Sequence, residues 1–114
     1  MLSATLLSPA LRRTVVEDSL RGAPQARRAW PEVMLVEDLG DDPARIAVPT
    51  LVLGGEHDRV EPSELVQREV AARIPRARFA VLPRTGHLAP LEIPDLVATA
   101  ITELTTELSP GVLA

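Results

Sequence analysis

At 114 residues the chain has room for at most one small domain or a portion of a larger one, and its 46% apolar content suits a packed core rather than a disordered segment. Its net charge is −4, and its twelve basic residues, all arginine, are scattered instead of forming a patch, so nothing invites nucleic acid. Cysteine is absent, which excludes disulfides, thiolate metal sites and cysteine nucleophiles and makes a cytoplasmic location the default expectation.

The N-terminal MLSATLLSPALRR has no basic segment ahead of its leucines and no apolar stretch of the length a signal or membrane span needs, so the chain reads as soluble. Ser8-Pro9 makes a good helix start, with serine as cap and proline in the first turn. Leu11, Val15, Val16 and Leu20 then form one apolar stripe, and Gly22 ends the run. A second helical piece opens at Pro24 and carries Arg27, Arg28 and Trp30; Pro31 is expected to interrupt it. Residues 40–49, GDDPARIAVP, read as a connection.

From residue 50 the pattern changes. Leu51, Val52 and Leu53 form a continuous apolar run of the kind found in strands covered on both faces, which implies a parallel sheet. Between Pro62 and Ile74, the residues Leu65, Val66, Val70 and Ile74 recur at helical spacing until Pro75 stops them. Phe79, Ala80, Val81 and Leu82 make a second short strand ending at Pro83. Pro94 opens a last helix with Leu96, Val97, Ala100, Ile101, Leu104 and Leu108 on its apolar side, and Pro110-Gly111 releases the tail. The order is βαβα, an α/β arrangement, and a crossover of this kind places the carboxyl ends of both strands on the same edge of the sheet.

Two residues stand just beyond those ends: Asp58 after the first strand and His87 after the second. A carboxylate beside an imidazole fixes the ring's tautomer and stabilises the imidazolium formed when the other ring nitrogen takes a proton. That is general-base machinery. The other readings are local: Asp58 as an Asx-turn residue ending a strand, and His87 as a capping or packing residue in a glycine-containing turn. His57 and Glu56 read as solvent-facing spacers, Glu92 as support for the turn or the helix start at Pro94, and Arg27 and Arg28 as a solvated face.

The stretch from Ile46 to Leu104, with IAVPTLVLGGEHDRVEP followed by ARIPRARFAVLPRTGHLAPLEIPDLV, resembles the C-terminal end of an α/β-fold hydrolase. The resemblance rests on Val48-Pro49-Thr50 entering the strand, Gly54 through Asp58 leaving it, Gly86-His87, and Glu92 with Pro94 at the final helix. It implies that Asp58 is the acid and His87 the base of a catalytic triad, and that the substrate is a carboxylic ester or a related bond. By the same resemblance, residues 1–45 are a helical cap-like remnant and linker, 46–109 the C-terminal portion of the hydrolase domain, and 110–114 a tail. Trp30 is then a candidate wall of a substrate pocket.

The departure from the family is equally specific. The nucleophile elbow, G-x-S-x-G or a variant, exposes its side chain on a tight strand-to-helix turn; Ser3, Ser8, Ser19, Ser63 and Ser109 all lack the flanking glycines. In the family's order the nucleophile precedes the acid and histidine. The expectation is therefore a truncated, split or trimmed hydrolase, inactive alone, whose partners are an N-terminal hydrolase fragment or a second copy. The alternative is a non-catalytic remnant or interaction module that pairs through an exposed strand edge. No cofactor is implied, no metal site is credible with two histidines and no cysteine, and Gly54-Gly55 lacks the spacing of a nucleotide loop.

Overall fold

The computed structural model describes residues 2–33 and 36–108. Met1, Ser109, the Pro110-Gly111 pair and the rest of the tail lie outside the described residues. Helix α1 runs Pro9–Arg21 and α2 Pro24–Glu32; strand β1 spans Thr50–Gly55, α3 Ser63–Glu69, β2 Ala77–Leu82, α4 Ala89–Glu92 and α5 Pro94–Leu108.

Local signals account for most of these bounds. The Ser8 hydroxyl accepts from the Leu11 amide at 3.2 Å, capping α1 where Pro9 starts it. Gly22 follows the last residue in an extended conformation, φ −55° and ψ 134°, rather than a left-handed one. Pro31 does not interrupt α2; it sits in the last turn, where the missing N–H costs one terminal hydrogen bond and little else. The periodic run after Pro62 is shorter than its spacing predicts. Val70, at φ −117° and ψ −68°, ends α3, a 3-10 turn covers Ala71–Arg73, and Ile74 is already extended, as a residue preceding proline prefers. The short helix α4 has no counterpart in the sequence reading.

Strands β1 and β2 pair in parallel, Thr50 opposite Ala77 through Gly55 opposite Leu82. Among the described residues they form a two-stranded sheet. Alternation along β1 divides the cover. Gly54 faces α3, because a Cβ there would stand 3.1 Å from Ser63 Cβ and 3.0 Å from the Phe79 ring. Leu51 and Leu53 point the other way, into a groove of about 560 Å³ that Leu82, Leu96 and Ala100 also line, so α5 flanks the opposite face. Arg78 holds α5 to β2 with two bonds to the Glu107 carboxylate, at 2.6 and 3.2 Å.

Buried apolar side chains concentrate in the crossover: Ala71, Ile74 and Leu82, with Thr85 fully buried beside them. The Thr85 hydroxyl is satisfied by donating to the Pro83 carbonyl at 2.8 Å. Among the described residues the helices α1 to α5 themselves contain no buried residue. No helix of the described residues is long and apolar enough to cross a membrane.

Candidate active site

Backbone hydrogen bonds join the two loops that leave the sheet's carboxyl edge. The Glu56 amide donates to the Leu82 carbonyl at 3.0 Å and the His57 amide to the Thr85 carbonyl at 2.8 Å, continuing the ladder past β1. The loops approach so closely that Gly55 has no room for a side chain: a Cβ would lie 2.5 Å from the Gly86 carbonyl oxygen and 2.6 Å from that of Thr85. Glycine is needed here for proximity, within a strand. The turn after β2 contains Arg84 in the left-handed region, φ 51°, and its amide donates to the Glu56 carboxylate at 2.6 Å. Glu56 is thus a structural brace, where its sequence position suggested only a spacer.

This joining brings Asp58 and His87 together. Asp58 Oδ2 lies 3.0 Å from His87 Nδ1. The other oxygen, Oδ1, accepts the amides of Val60 at 2.9 Å and Glu61 at 3.0 Å, so the Asx-turn role and the histidine contact coexist on one carboxylate. Asp58's side chain is 9% exposed and that of His87 36%. Burial pushes the Asp58 carboxyl upward, but the Glu61 amide, His87 and the Val60 amide outweigh it and hold its pKa below the ordinary 3.8. An ionised aspartate facing Nδ1 favours the tautomer that carries its proton there, leaving Nε2 to accept a proton.

A second carboxylate organises the same corner. Glu92, at the end of α4, accepts from the Gly86 and Leu88 amides and from the amides of Ala4 and Thr5. Burial raises its pKa, and the Gly86, Thr5 and Ala4 amides together with the Thr5 hydroxyl bring it below the ordinary 4.5. Glu92 supports the turn, as its place ahead of Pro94 suggested; that the N-terminal residues enter the same cradle had no sequence signal.

A cleft of about 400 Å³ is lined by Ser3, Ala4, His57 and Arg59, the last two flanking Asp58 in sequence. His57 is solvent-facing, 3.7 Å from the Glu56 carboxylate. Trp30 does not line this cleft; it stands on α2 with 60% of its surface exposed. No group of three or more metal-ligating side chains occurs among the described residues.

Over 56 residues, about half of this chain, the sequence is 45% identical to a Mycobacterium tuberculosis protein named non-heme bromoperoxidase BpoC; that stretch is 21% of the relative's length. A thermophilic esterase from Thermogutta terrifontis is 39% identical with a TM-score of 0.53, covering 56% of this chain and 23% of the esterase. A serine hydrolase involved in carbazole degradation, the CarC enzyme, superposes with a TM-score of 0.61 at 25% identity over 69% of this chain and 31% of its own. The chain therefore spans between a fifth and a third of these proteins. The model of the alpha/beta hydrolase family matches residues 2–100, and with a parallel sheet whose carboxyl edge joins an aspartate to a histidine, the chain belongs to the alpha/beta hydrolase family.

Proposed function

We propose that this chain is the C-terminal portion of an α/β-fold hydrolase that cleaves a carboxylic ester or related bond, with His87 as general base and acid and Asp58 as its orienting carboxylate. The single observation that carries the reading is the 3.0 Å contact between Asp58 Oδ2 and His87 Nδ1 at the carboxyl edge of the sheet. In the reaction, Nε2 of His87 takes the proton of a nucleophilic hydroxyl as that oxygen attacks the substrate carbonyl, and returns it to the leaving group when the tetrahedral intermediate collapses. The same nitrogen then activates the water that releases the acyl group. At each step the Asp58 carboxylate stabilises the imidazolium.

The nucleophile in this reading comes from outside the 114 residues, since no serine here has the flanking glycines of an elbow. Alone, the chain is inactive; its partner is the N-terminal part of a hydrolase, its substrate a small molecule, and its place the cytoplasm. Trp30, on the helical segment, is assigned to the pocket of the completed enzyme.

The test is hydrolysis of a chromogenic ester by the purified chain and by His87→Ala. Equal background rates are expected, and His87-dependent turnover would contradict the absence of a nucleophile. A second reading, a non-catalytic module that pairs through a strand edge, is favoured by one observation: each strand of the described sheet has a single strand neighbour. Reading the coding DNA ahead of Met1 separates the two, because an in-frame or frameshifted G-x-S-x-G stretch supports the hydrolase and its absence the module.

A further inference from the structure

Glu92 touches neither Asp58 nor His87 by any hydrogen bond, yet its carboxylate holds the amides on both sides of the histidine. Oε2 accepts from Gly86 N at 3.0 Å and Leu88 N at 3.2 Å. Oε1 accepts from Ala4 N at 2.8 Å, Thr5 N at 3.0 Å and the Thr5 hydroxyl at 3.2 Å, and it shares the Gly86 amide at 3.2 Å. The remaining amide of the loop, that of His87 itself, donates to the Leu2 carbonyl at 2.7 Å. Three consecutive amides, 86 to 88, are thus committed to Glu92 and to the N-terminal segment. The fit is tight: a Cβ on Gly86 would stand 2.6 Å from Ala4 N and 2.7 Å from Leu2 O.

Fixing those amides fixes the backbone from which the His87 ring reaches Asp58. We propose that Glu92 is a positioning residue acting through His87, which it holds in register with Asp58 only while residues Leu2–Thr5 are docked against the histidine loop. The inference rests on the reading of His87 as the base paired with Asp58. Its chemistry needs a carboxylate with two accepting oxygens. A glutamine has one, so it can serve the 86 and 88 amides or the 4 and 5 amides, and its own NH₂ then faces the donors left over. The anionic form, stabilised by these donors, makes every bond charge-assisted.

The experiment is NMR of the histidine ring nitrogens and of amide hydrogen exchange, on the full chain near neutral pH. In the wild type, His87 carries its proton on Nδ1, and Asp58→Asn removes that signature. Glu92→Gln should convert His87 to a mixture of tautomers and speed exchange at Thr5, His87 and Leu88 by roughly tenfold to a hundredfold, the loss of one charged hydrogen bond. Glu92→Asp, which keeps the charge but is one methylene shorter, should do the same; Glu107→Gln, which removes a carboxylate from α5, should not. If Glu92→Gln does not fold, Thr5→Pro removes an amide and a hydroxyl from the N-terminal side of the cradle and should still shift the His87 tautomer. An unchanged His87 signature in folded Glu92→Gln, or in Thr5→Pro, overturns the inference. A wild type without the Nδ1 proton, or one indifferent to Asp58→Asn, overturns instead the reading on which it rests.

Discussion

The N-terminal helices and the crossover unit carry equally clear sequence patterns and reach different physical states. Helix α1 has its proline, its serine cap and its apolar stripe, yet among the described residues it buries nothing, and Leu20 is 68% exposed. The crossover from β1 to β2 has a helix of only seven residues that likewise contains no buried residue, but Ala71 and Ile74 after it and Leu82 at the end of β2 are buried, and Gly55 is pressed against the Thr85 and Gly86 backbone. Caps and period decide whether a helix forms; long-range strand pairing decides where the core lies. The candidate site sits where that pairing is densest, because a 3.0 Å contact between side chains on two loops requires both loops to be held.

The sharpest test of the contrast is matched truncation. Ile74→Ala should cost about 2–4 kcal/mol in a urea titration, through lost burial and a residual cavity, whereas Leu20→Ala should change stability by less than about 0.5 kcal/mol. A cost above about 1 kcal/mol for Leu20→Ala would show that α1 packs in solution. Next in size is Gly55→Ala, expected to destabilise by about 1–3 kcal/mol because its Cβ meets two backbone carbonyls that have no rotamer to yield; Gly40→Ala, with open space around it but a φ of 50°, isolates the conformational part of such a cost.

Acid should weaken the site through its two carboxylates. The pKa values of Asp58 and Glu92 lie below 3.8 and 4.5 in the folded chain, so folding releases their protons, and the stability they add is present above those values. As pH falls below about 4 and through the folded values, that contribution is lost. Urea midpoints at successive pH values should drop over this window, and the combined Asp58→Asn and Glu92→Gln variant should flatten the drop. The smallest effect concerns Arg84 at φ 51°: Arg84→Gly should stabilise by about 0.5–1 kcal/mol, relief of left-handed strain partly offset by unfolded-chain entropy, while Arg84→Val should destabilise.

Much of this was legible in the sequence because it is local. Proline and serine marked the helix starts, the apolar run at Leu51–Leu53 marked a strand of a parallel sheet, though its residues are only half-buried, and strand-end positions marked Asp58 and His87. The shortening of α3 at Val70 was not legible, because the apolar period continues through Ile74 while the backbone leaves the helix to meet Pro75. Nor was the role of Glu56, or the reach of Glu92 past the turn it was read to support to the amides of Ala4 and Thr5. Both bind amides far along the chain, so only tertiary placement reveals these contacts. Nor was the need for glycine at position 55, which comes from close approach of the Thr85 and Gly86 backbone.

The proposed role of Asp58 and His87 is to serve a hydrolase once a nucleophile is supplied. A chimera joining the upstream part of the Thermogutta terrifontis esterase, without its own matching C-terminal segment, to this chain tests it directly, with a cooperative melt as the check on folding. The account predicts ester hydrolysis by the folded chimera that falls by roughly 10⁴-fold in Asp58→Asn and at least as far in His87→Ala. A folded chimera whose hydrolysis is unchanged by both substitutions, or that is inactive while its substrate still binds, would contradict it.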